Sequence, residues 1–168
     1  MTFHFGWRRS ADRRYAASIA FRRYTSGACP YAAPMAAPFR YQHRVIYAEC
    51  TIGNHVYHSH YLDMLEAARG ELMRSLGSTV REWQERDLIF PIVEARLKFK
   101  SPARYDDLLT IEVRPTLASG VRVNFAHRVV NQTGELILEA ETFHVCTGLN
   151  EKPKRLPTEL AAQLAAQI

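Results

Sequence analysis

The sequence of 168 residues lacks several features that would assign it to a class at once. It has only three cysteines (Cys29, Cys50 and Cys146), which is too few for a disulfide scaffold and favours free thiols in a reducing compartment. No apolar run approaches the roughly 20 residues that a membrane-spanning helix requires. Because 47% of the residues are hydrophobic, the chain suits one globular domain rather than disorder. We therefore expect a cytoplasmic protein with no membrane partner.

Acidic residues are scarce at the N-terminus, and this explains the formal net charge of +5. Residues 1–34 carry six arginines and a single acid, Asp12, whereas the rest of the chain has 16 basic and 16 acidic residues. The excess of basic charge thus belongs to a leader, which argues against nucleic acid as a partner. The composition of residues 1–34 fits a transit peptide or an upstream extension from a misassigned start. We assign them as a basic leader outside the core, and residues 35–168 as a single domain.

The periodicity of this domain predicts one long helix and a series of strands. Apolar residues recur every three to four positions, which predicts a helix over residues 59–76 with Ser59 as N-cap and Gly77 as its stop. A polar connector follows the helix, and a short helical segment ends the chain at residues 158–168. Strands are predicted at residues 42–50, 91–100, 108–114, 120–130 and 135–146, with a hairpin turn at 131–134.

The connections between these strands are short, and this favours an antiparallel sheet with the helix on one face, an α+β architecture. In the strand over residues 91–100, Val93, Ala95, Leu97 and Phe99 alternate with charged residues, so we predict that this strand is half-buried. A sheet of this kind leaves an unpaired edge and a large apolar surface. Pairing with a second copy of the chain is therefore expected.

Three separated stretches resemble the 4-hydroxybenzoyl-CoA thioesterase family, and they occur in the same order. They are YAECTIGNHVYHSHYL with the following LEAAR (Tyr47 to Arg69), SPARYDDLLT (Ser101 to Thr110) and KPKRLP (Lys152 to Pro157). The resemblance covers roughly residues 40–157 and implies a hot-dog fold, in which an antiparallel sheet wraps around one long helix. It also implies homodimers, often paired into tetramers. The implied activity is hydrolysis of acyl-CoA thioesters at a site shared by two subunits, with no metal and no separate cofactor.

The resemblance places the thioester carbonyl at the start of the long helix. The backbone N–H that would hold it belongs to His58, where the helix dipole also favours a developing negative charge. The imidazole of His58 has two possible roles. It acts near the thioester as an acid, a base or a donor to the carbonyl, or it is only a polar side chain at the start of the helix.

The chain departs from the family at the catalytic carboxylate. The resemblance places this group seven residues before His58, where the sequence has Thr51, and a threonine is no base at neutral pH. Thr51 would orient a water molecule or bind the substrate. Glu66 is a substitute, since a helical Glu at about this offset supplies the carboxylate in another branch of hot-dog thioesterases, acting across the dimer interface. The alternative is a structural Glu66 that pairs with Arg69.

Two further polar residues near the turn are weaker candidates. Glu49 has the same strand parity as Thr51 but would need a shifted substrate. Asn54 would bind the acyl carbonyl or a water, or else serves only the turn beside Gly53. No metal site is expected from the histidine spacing of His55, His58 and His60, and Cys50 is interpreted as packing rather than as a nucleophile.

The remaining site predictions concern substrate binding. Tyr57 and Tyr61 are expected in an acyl pocket with an apolar or aromatic lining, together with Leu65 and Phe90. The basic residues predicted near the CoA phosphates are Lys100, Arg104, Lys152, Lys154 and Arg155. The sequence thus indicates an acyl-CoA thioesterase with a non-standard catalytic set, and the alternative is a hot-dog protein that binds acyl-CoA or another acyl ligand without hydrolysing it. A hydratase or dehydratase is less consistent, because its Asp/His pattern is absent.

Overall fold

The computed structural model describes residues 37–168, so the predicted leader over residues 1–34 lies outside the described part. The elements are β1 (Phe39–Arg44), a 3-10 turn (Tyr47–Glu49), α1 (His60–Ser75), α2 (Val80–Glu85), β2 (Ile92–Phe99), β3 (Leu108–Ser119), β4 (Arg122–Val130), β5 (Leu136–Val145) and α3 (Thr158–Ala165). The strands form one antiparallel sheet in the order β1-β3-β4-β5-β2. No helix among residues 37–168 is long and apolar enough to cross a membrane. The predicted α+β architecture is confirmed.

Helix α1 forms where the apolar stripe of the sequence meets the sheet. The core residues on this stripe are each at most 3% exposed, and they are Tyr61, Leu65, Ala68 and Leu72. Complete burial of a side chain such as Leu65 contributes about 1.5–3 kcal/mol. Gly77 ends the helix with a φ of +88°, and the N–H of Ser78 donates to the carbonyl of Met73, as in a Schellman motif. Ser59 is the N-cap as predicted, although its hydroxyl makes no capping hydrogen bond.

The inward faces of β3 and β4 also agree with the predicted alternation. On β3, Leu109, Ile111 and Val113 are fully buried, and on β4 the inward residues from Val123 to Val129 are at most 4% exposed. The predicted turn between β4 and β5 is present, since the N–H of Gly134 donates to the carbonyl of Asn131 at 3.0 Å. These two strands supply the floor on which α1 packs.

The predicted strand over residues 42–50 is wrong in its second half. β1 ends at Arg44, and Glu49 lies in the 3-10 turn instead of on a strand. The carboxylate of Glu49 accepts the N–H of Ile46 at 2.8 Å and lies 2.9 Å from Nε2 of His43, which stabilises the turn against an extended chain. The argument from strand parity between Glu49 and Thr51 therefore fails.

The connector after α1 also differs from the prediction, because it contains a helix. Thr79 and Glu82 form a capping box, in which the Thr79 hydroxyl accepts the Glu82 N–H at 3.2 Å. The single apolar anchor of α2 is Trp83, which is 1% exposed. With only six residues, α2 is too short to show a periodic pattern.

Strand β2 is not half-buried in the single chain, contrary to the prediction. Val93 is 66% exposed and Phe99 is 52% exposed. The reason is topological: β2 pairs only with β5 and forms one edge of the sheet. The alternation correctly predicts a strand, but no other part of residues 37–168 covers the exposed apolar side chains of β2.

Candidate active site

A cavity of about 540 Å³ lies where α1 begins and β2 ends. We call it the loop cavity. Its walls come from the segment around Thr51, His55 and His58, from Tyr57 and Tyr61, and from residues 99–102. Four of the predicted site residues, Thr51, Tyr57, His58 and Tyr61, are thus brought together, and Lys100 joins them from the end of β2.

Backbone hydrogen bonds hold the segment before α1 against two neighbouring loops. The N–H of Val56 donates to the carbonyl of Ala103, and the N–H of Tyr57 donates to that of Glu49, both at 2.9 Å. The phenol oxygen of Tyr61 accepts the N–H of Ala103 at 3.2 Å. The segment is therefore fixed at both flanks, and the position of its side chains is defined.

Two N–H groups immediately before α1 are available to a ligand. The N–H of His60 donates to the carbonyl of Tyr57, and that of Leu62 donates to Ser59, each at 3.0 Å. The N–H groups of His58 and Ser59 make no hydrogen bond within residues 37–168. Free N–H groups at the positive end of a helix are suited to stabilising an oxyanion.

Thr51 and His55 are in direct contact inside the loop cavity. Oγ1 of Thr51 lies 3.2 Å from Nδ1 of His55, and the same hydroxyl donates to the main-chain carbonyl of His55 at 3.2 Å. The N–H of Thr51 donates to that carbonyl as well, at 2.9 Å. The imidazole lies against Gly53, where a Cβ atom would come within 2.8 Å of Nδ1. A compact turn thus positions one imidazole beside Thr51.

Two other predicted residues serve the loop rather than line the cavity. Asn54 has a φ of +53°, and its Oδ1 accepts the N–H of Tyr105 at 3.3 Å. Its carbonyl accepts a hydrogen bond from Nη1 of Arg104 at 3.3 Å. The carboxylate of Glu49 is engaged by His43 and Ile46, as described above. Both contacts stabilise the loop that carries Thr51 and His55.

A second cavity, of about 380 Å³, lies between α1, α3 and the sheet. We call it the helix cavity. Glu66 lines this cavity together with Arg69, Phe125, His144 and Leu160. Within one chain, Glu66 therefore does not share a cavity with Thr51 or His58. Phe90, which we predicted in the acyl pocket, also lies here, whereas Leu65 is fully buried in the core.

The helix cavity has a buried polar floor. Nε2 of His127 and Nε2 of His144 each lie 3.1 Å from the hydroxyl of Thr142, and Nδ1 of His144 donates to the carbonyl of Phe90 at 2.9 Å. Because Nδ1 of His144 donates to Phe90, its Nε2 accepts from the Thr142 hydroxyl, which in turn accepts from Nε2 of His127. This chain of bonds requires a neutral His144. Burial, together with the charge of Arg69, lowers the pKa of His127 to about 3 and that of His144 to about 4.

Arg69 is the cation of this floor. It is 7% exposed, and its Nη1 has no hydrogen-bond partner among residues 37–168. Burial lowers its pKa to about 10, while the nearby Glu66 opposes that shift. The group remains charged at neutral pH.

The predicted phosphate-binding cations lie in two places. Lys100 and Arg104 lie beside the loop cavity, and Lys100 pairs with Glu139 at 3.0 Å. The other three follow β5, near the opposite end of β2, and are Lys152, Lys154 and Arg155. Of these, Lys154 is paired with Asp87, whose pKa it holds below the usual value.

The contact between His55 and Thr51 is not predicted by the sequence analysis. From the sequence, His55 attracts attention only through its spacing to His58 and His60. The signal that could have found it is the turn-forming pair Gly53-Asn54, because such a turn brings residues 51 and 55 together. No cluster of three or more His, Cys, Asp or Glu suited to a metal ion is found within residues 37–168.

Comparison with known proteins identifies the family. Residues 35–164 match the model of the thioesterase-like superfamily. The chain is 32% identical over 126 residues to acyl-CoA thioester hydrolase YbgC from Escherichia coli O6:H1, covering 74% of this chain and 94% of that protein. In structure it is similar to a hypothetical protein of Thermus thermophilus, TT1821 (TM-score 0.72, 30% identity, 77% of this chain and 98% of the other).

A 1,4-dihydroxy-2-naphthoyl-CoA thioesterase from Synechocystis is similar as well (TM-score 0.71, 25% identity, 76% of this chain and 95% of the other). These likenesses confirm the predicted hot-dog fold and the resemblance from which it was inferred. The chain therefore belongs to the thioesterase-like superfamily.

Proposed function

We propose that this protein is an acyl-CoA thioester hydrolase whose chemistry takes place in the loop cavity. The observation that carries this proposal is the pair of N–H groups of His58 and Ser59, which make no hydrogen bond within the described residues and lie immediately before α1, with His58 lining that cavity. The relative named as an acyl-CoA thioester hydrolase matches this chain over 94% of its own length, which supports the same reaction here.

The backbone of the helix start supplies the electrostatic part of the mechanism. The thioester carbonyl oxygen accepts hydrogen bonds from the N–H of His58 and its neighbour, so negative charge develops against the positive end of α1. Loss of one such donor typically costs about 10²–10³ in kcat. Water attacks the carbonyl carbon, and the tetrahedral intermediate collapses with cleavage of the C–S bond. The hydroxyl of Thr51 orients the water in the same cavity.

The walls of the cavity suit an apolar or aromatic acyl group. The rings of Tyr61 and Phe99 meet edge to face with centroids 5.4 Å apart, and Tyr57 adds a third aromatic side chain. Lys100 and Arg104 place positive charge beside this cavity for the phosphates of CoA. A shallow aromatic slot with cations beside it is the arrangement that an acyl-CoA thioester requires.

A homodimer completes the site in our proposal. The apolar side chains of β2 are exposed along an unpaired edge, whereas on the other edge strand, β1, the exposed residues are polar. Edge-to-edge antiparallel pairing of two β2 strands would cover these side chains. It would also bring the Ile92 end of one strand beside the Phe99 end of the other, and with it the helix cavity of the partner.

This pairing would give the remaining predicted residues a role. Glu66 and the basic residues after β5 would reach the loop cavity only from the partner subunit, since within one chain they lie elsewhere. Further pairing of dimers would give the tetramer expected from the sequence. We place the enzyme in the cytoplasm, where CoA thioesters occur and where the free thiols Cys50 and Cys146 remain reduced.

The direct test is release of CoA thiol, followed with a thiol reagent. Purified protein is mixed with short-chain, medium-chain, long-chain and aromatic acyl-CoA esters. We expect catalytic turnover of at least one class, with apolar or aromatic acyl groups preferred. Binding of the esters without thiol release would instead support the acyl-ligand binding protein.

A further inference from the structure

The loop cavity contains ionisable groups but no carboxylate. Among the described residues that line it there is neither an Asp nor a Glu. Hydrolysis at neutral pH nevertheless gains about 10²–10⁴ in rate from a positioned base. Lys100 is cationic and paired with Glu139, and burial raises the pKa of the Tyr61 phenol. The bases that remain are the imidazoles of His55 and His58.

The surroundings of the two imidazoles differ. The ring of His58 stacks at an angle on Tyr57, with centroids 4.2 Å apart, and has no polar partner among the described residues. The ring of His55 is held between Gly53 and the hydroxyl of Thr51. The imidazole of His55 is therefore oriented by a polar contact and by packing, whereas that of His58 is oriented by an aromatic neighbour alone.

The Thr51 hydroxyl also holds the ring of His55 in place. Its Oγ1 lies 3.2 Å from Nδ1 and 3.4 Å from Nε2, and the hydroxyl donates its proton to the main-chain carbonyl of His55. Because the two ring nitrogens lie at nearly equal distances from Oγ1, this contact positions the imidazole without selecting a tautomer. Either neutral tautomer has one ring nitrogen without a proton, which is able to accept one.

We propose that His55 is the general base of this thioesterase, and that Thr51, at the position of the family's carboxylate, orients its imidazole. This inference rests on the proposed function. The unprotonated ring nitrogen of His55 takes a proton from water while the water oxygen forms a bond to the thioester carbonyl carbon. The electron pair of the C=O double bond moves to oxygen and is held by the N–H of His58.

When the intermediate collapses, the C–S bond breaks and its electron pair leaves with sulfur. The imidazolium of His55 returns its proton to that sulfur, so the products are the free acid and CoA thiol, and His55 is neutral again. Thr51 and Gly53 are positioning residues in this scheme. Thr51 contacts the ring and holds it in place, and Gly53 leaves the space in which the ring lies.

The test compares His55→Gln with His60→Gln, a matched control. His60 is five residues away, pairs with Asp63 at 3.3 Å and does not line the loop cavity. With the acyl-CoA ester that the wild type hydrolyses best, we expect kcat to fall about 10²–10⁴-fold in His55→Gln and to change less than about twofold in His60→Gln. Thr51→Val should lower kcat about tenfold with little change in KM, because it disorients the base without removing it.

Two further readouts separate a base from a structural residue. The dependence of kcat on pH should show an acid limb in the wild type, and this limb should vanish in His55→Gln. In His55→Ala, added imidazole should restore part of the lost rate. Retention of the wild-type rate and acid limb by His55→Gln would overturn the assignment of His55, and loss of activity in Glu66→Gln alone would place the base on α1. An inactive wild type would overturn the proposed function itself.

Discussion

The two cavities of this protein use the same kinds of side chain in opposite ways. In the loop cavity, His55 and His58 are exposed residues that lie next to aromatic walls. The helix cavity has His144 in its wall and His127 in the adjoining core, each 4% exposed and joined through Thr142, with the buried Arg69 nearby. In the first, water reaches the imidazoles and proton exchange is possible. In the second, burial holds both imidazoles neutral, and they shape the cavity instead of moving protons.

This comparison shows why a histidine near a predicted site is an ambiguous signal. Burial and the hydrogen bonds of a second side chain, here Thr142 or Thr51, decide what an imidazole does. The same residue pair, Thr with His, therefore has a structural role at one end of the protein and a proposed catalytic role at the other. The predictions below test that division.

The largest expected effect is loss of stability in acid, and it belongs to the helix cavity. The pKa values of about 3 for His127 and about 4 for His144 lie below the value of about 6.5 expected in the unfolded chain. Below pH 6.5 the unfolded state therefore binds more protons, and the free energy of unfolding falls as the pH falls. Each imidazole contributes up to about 1.4 kcal/mol per pH unit, so we expect a loss of roughly 4 kcal/mol between pH 7 and pH 5.

Urea unfolding at a series of pH values measures this loss. His127→Asn should reduce the slope by about half, because it removes one of the two buried imidazoles. A slope that is unchanged in His127→Asn would contradict the role of this buried imidazole.

The second effect is the cost of removing the hydroxyl that joins the buried imidazoles. Thr142→Val conserves shape but leaves two ring nitrogens without their partner, and Thr142 is fully buried. Unpaired buried polar groups cost about 1–3 kcal/mol each, so we expect a loss of about 2–3 kcal/mol in unfolding free energy. Thr51→Val, at a partly exposed hydroxyl, should change stability by less than about 1 kcal/mol. Equal losses in both variants would contradict the comparison.

The third effect concerns affinity at the loop cavity. Lys100→Met should raise the KM for acyl-CoA about fivefold without changing kcat, because a partly exposed phosphate contact contributes about 1 kcal/mol. The increase should shrink at high salt. Lys98→Met is the matched control, since Lys98 lies on the same strand two residues earlier and does not line the cavity. An equal change in KM for both variants would mean that Lys100 acts through the overall positive charge of the surface and not through a contact with a phosphate.

The smallest effect is a gain in stability at the wall of the helix cavity. Gly70 lies inside α1, and a Cβ atom there would meet nothing within 4 Å. Gly70→Ala should therefore stabilise the protein by about 0.5–1 kcal/mol. Gly77→Ala should destabilise it by a similar amount, since the helix stop has a φ of +88°. Thermal unfolding of the two variants distinguishes these outcomes, and a destabilised Gly70→Ala would show that the cavity wall is tighter than described.

The elements that could be predicted from sequence are those whose pattern is long. Helix α1 has 16 residues and β3 and β4 have 12 and 9, and in each the period of apolar residues identifies the element and its buried face. The failures have specific causes. Helix α2 is too short for periodicity, residues 47–49 turn because of the side-chain contacts of Glu49, and the exposure of β2 depends on sheet order, which no local pattern specifies.

The site was predictable only where backbone chemistry forms it. The start of α1 fixes the position of the His58 N–H from the helix pattern and the resemblance alone. The partner of Thr51 was not predictable, because contact with His55 depends on the geometry of one turn and on the small size of Gly53. The separation of Glu66 from Thr51 likewise depends on how α1 lies on the sheet.

The most direct test of the account is a crystal structure with an acyl-CoA analogue in which a methylene group replaces the thioester sulfur. This ketone cannot be cleaved, and it keeps the carbonyl whose position is in question. We predict its oxygen within about 3 Å of the backbone nitrogen of His58 or Ser59, with the imidazole of His55 on the side from which water attacks. A carbonyl bound beside Arg69 and His144 would contradict the account, since it would lie away from the N–H groups that precede α1.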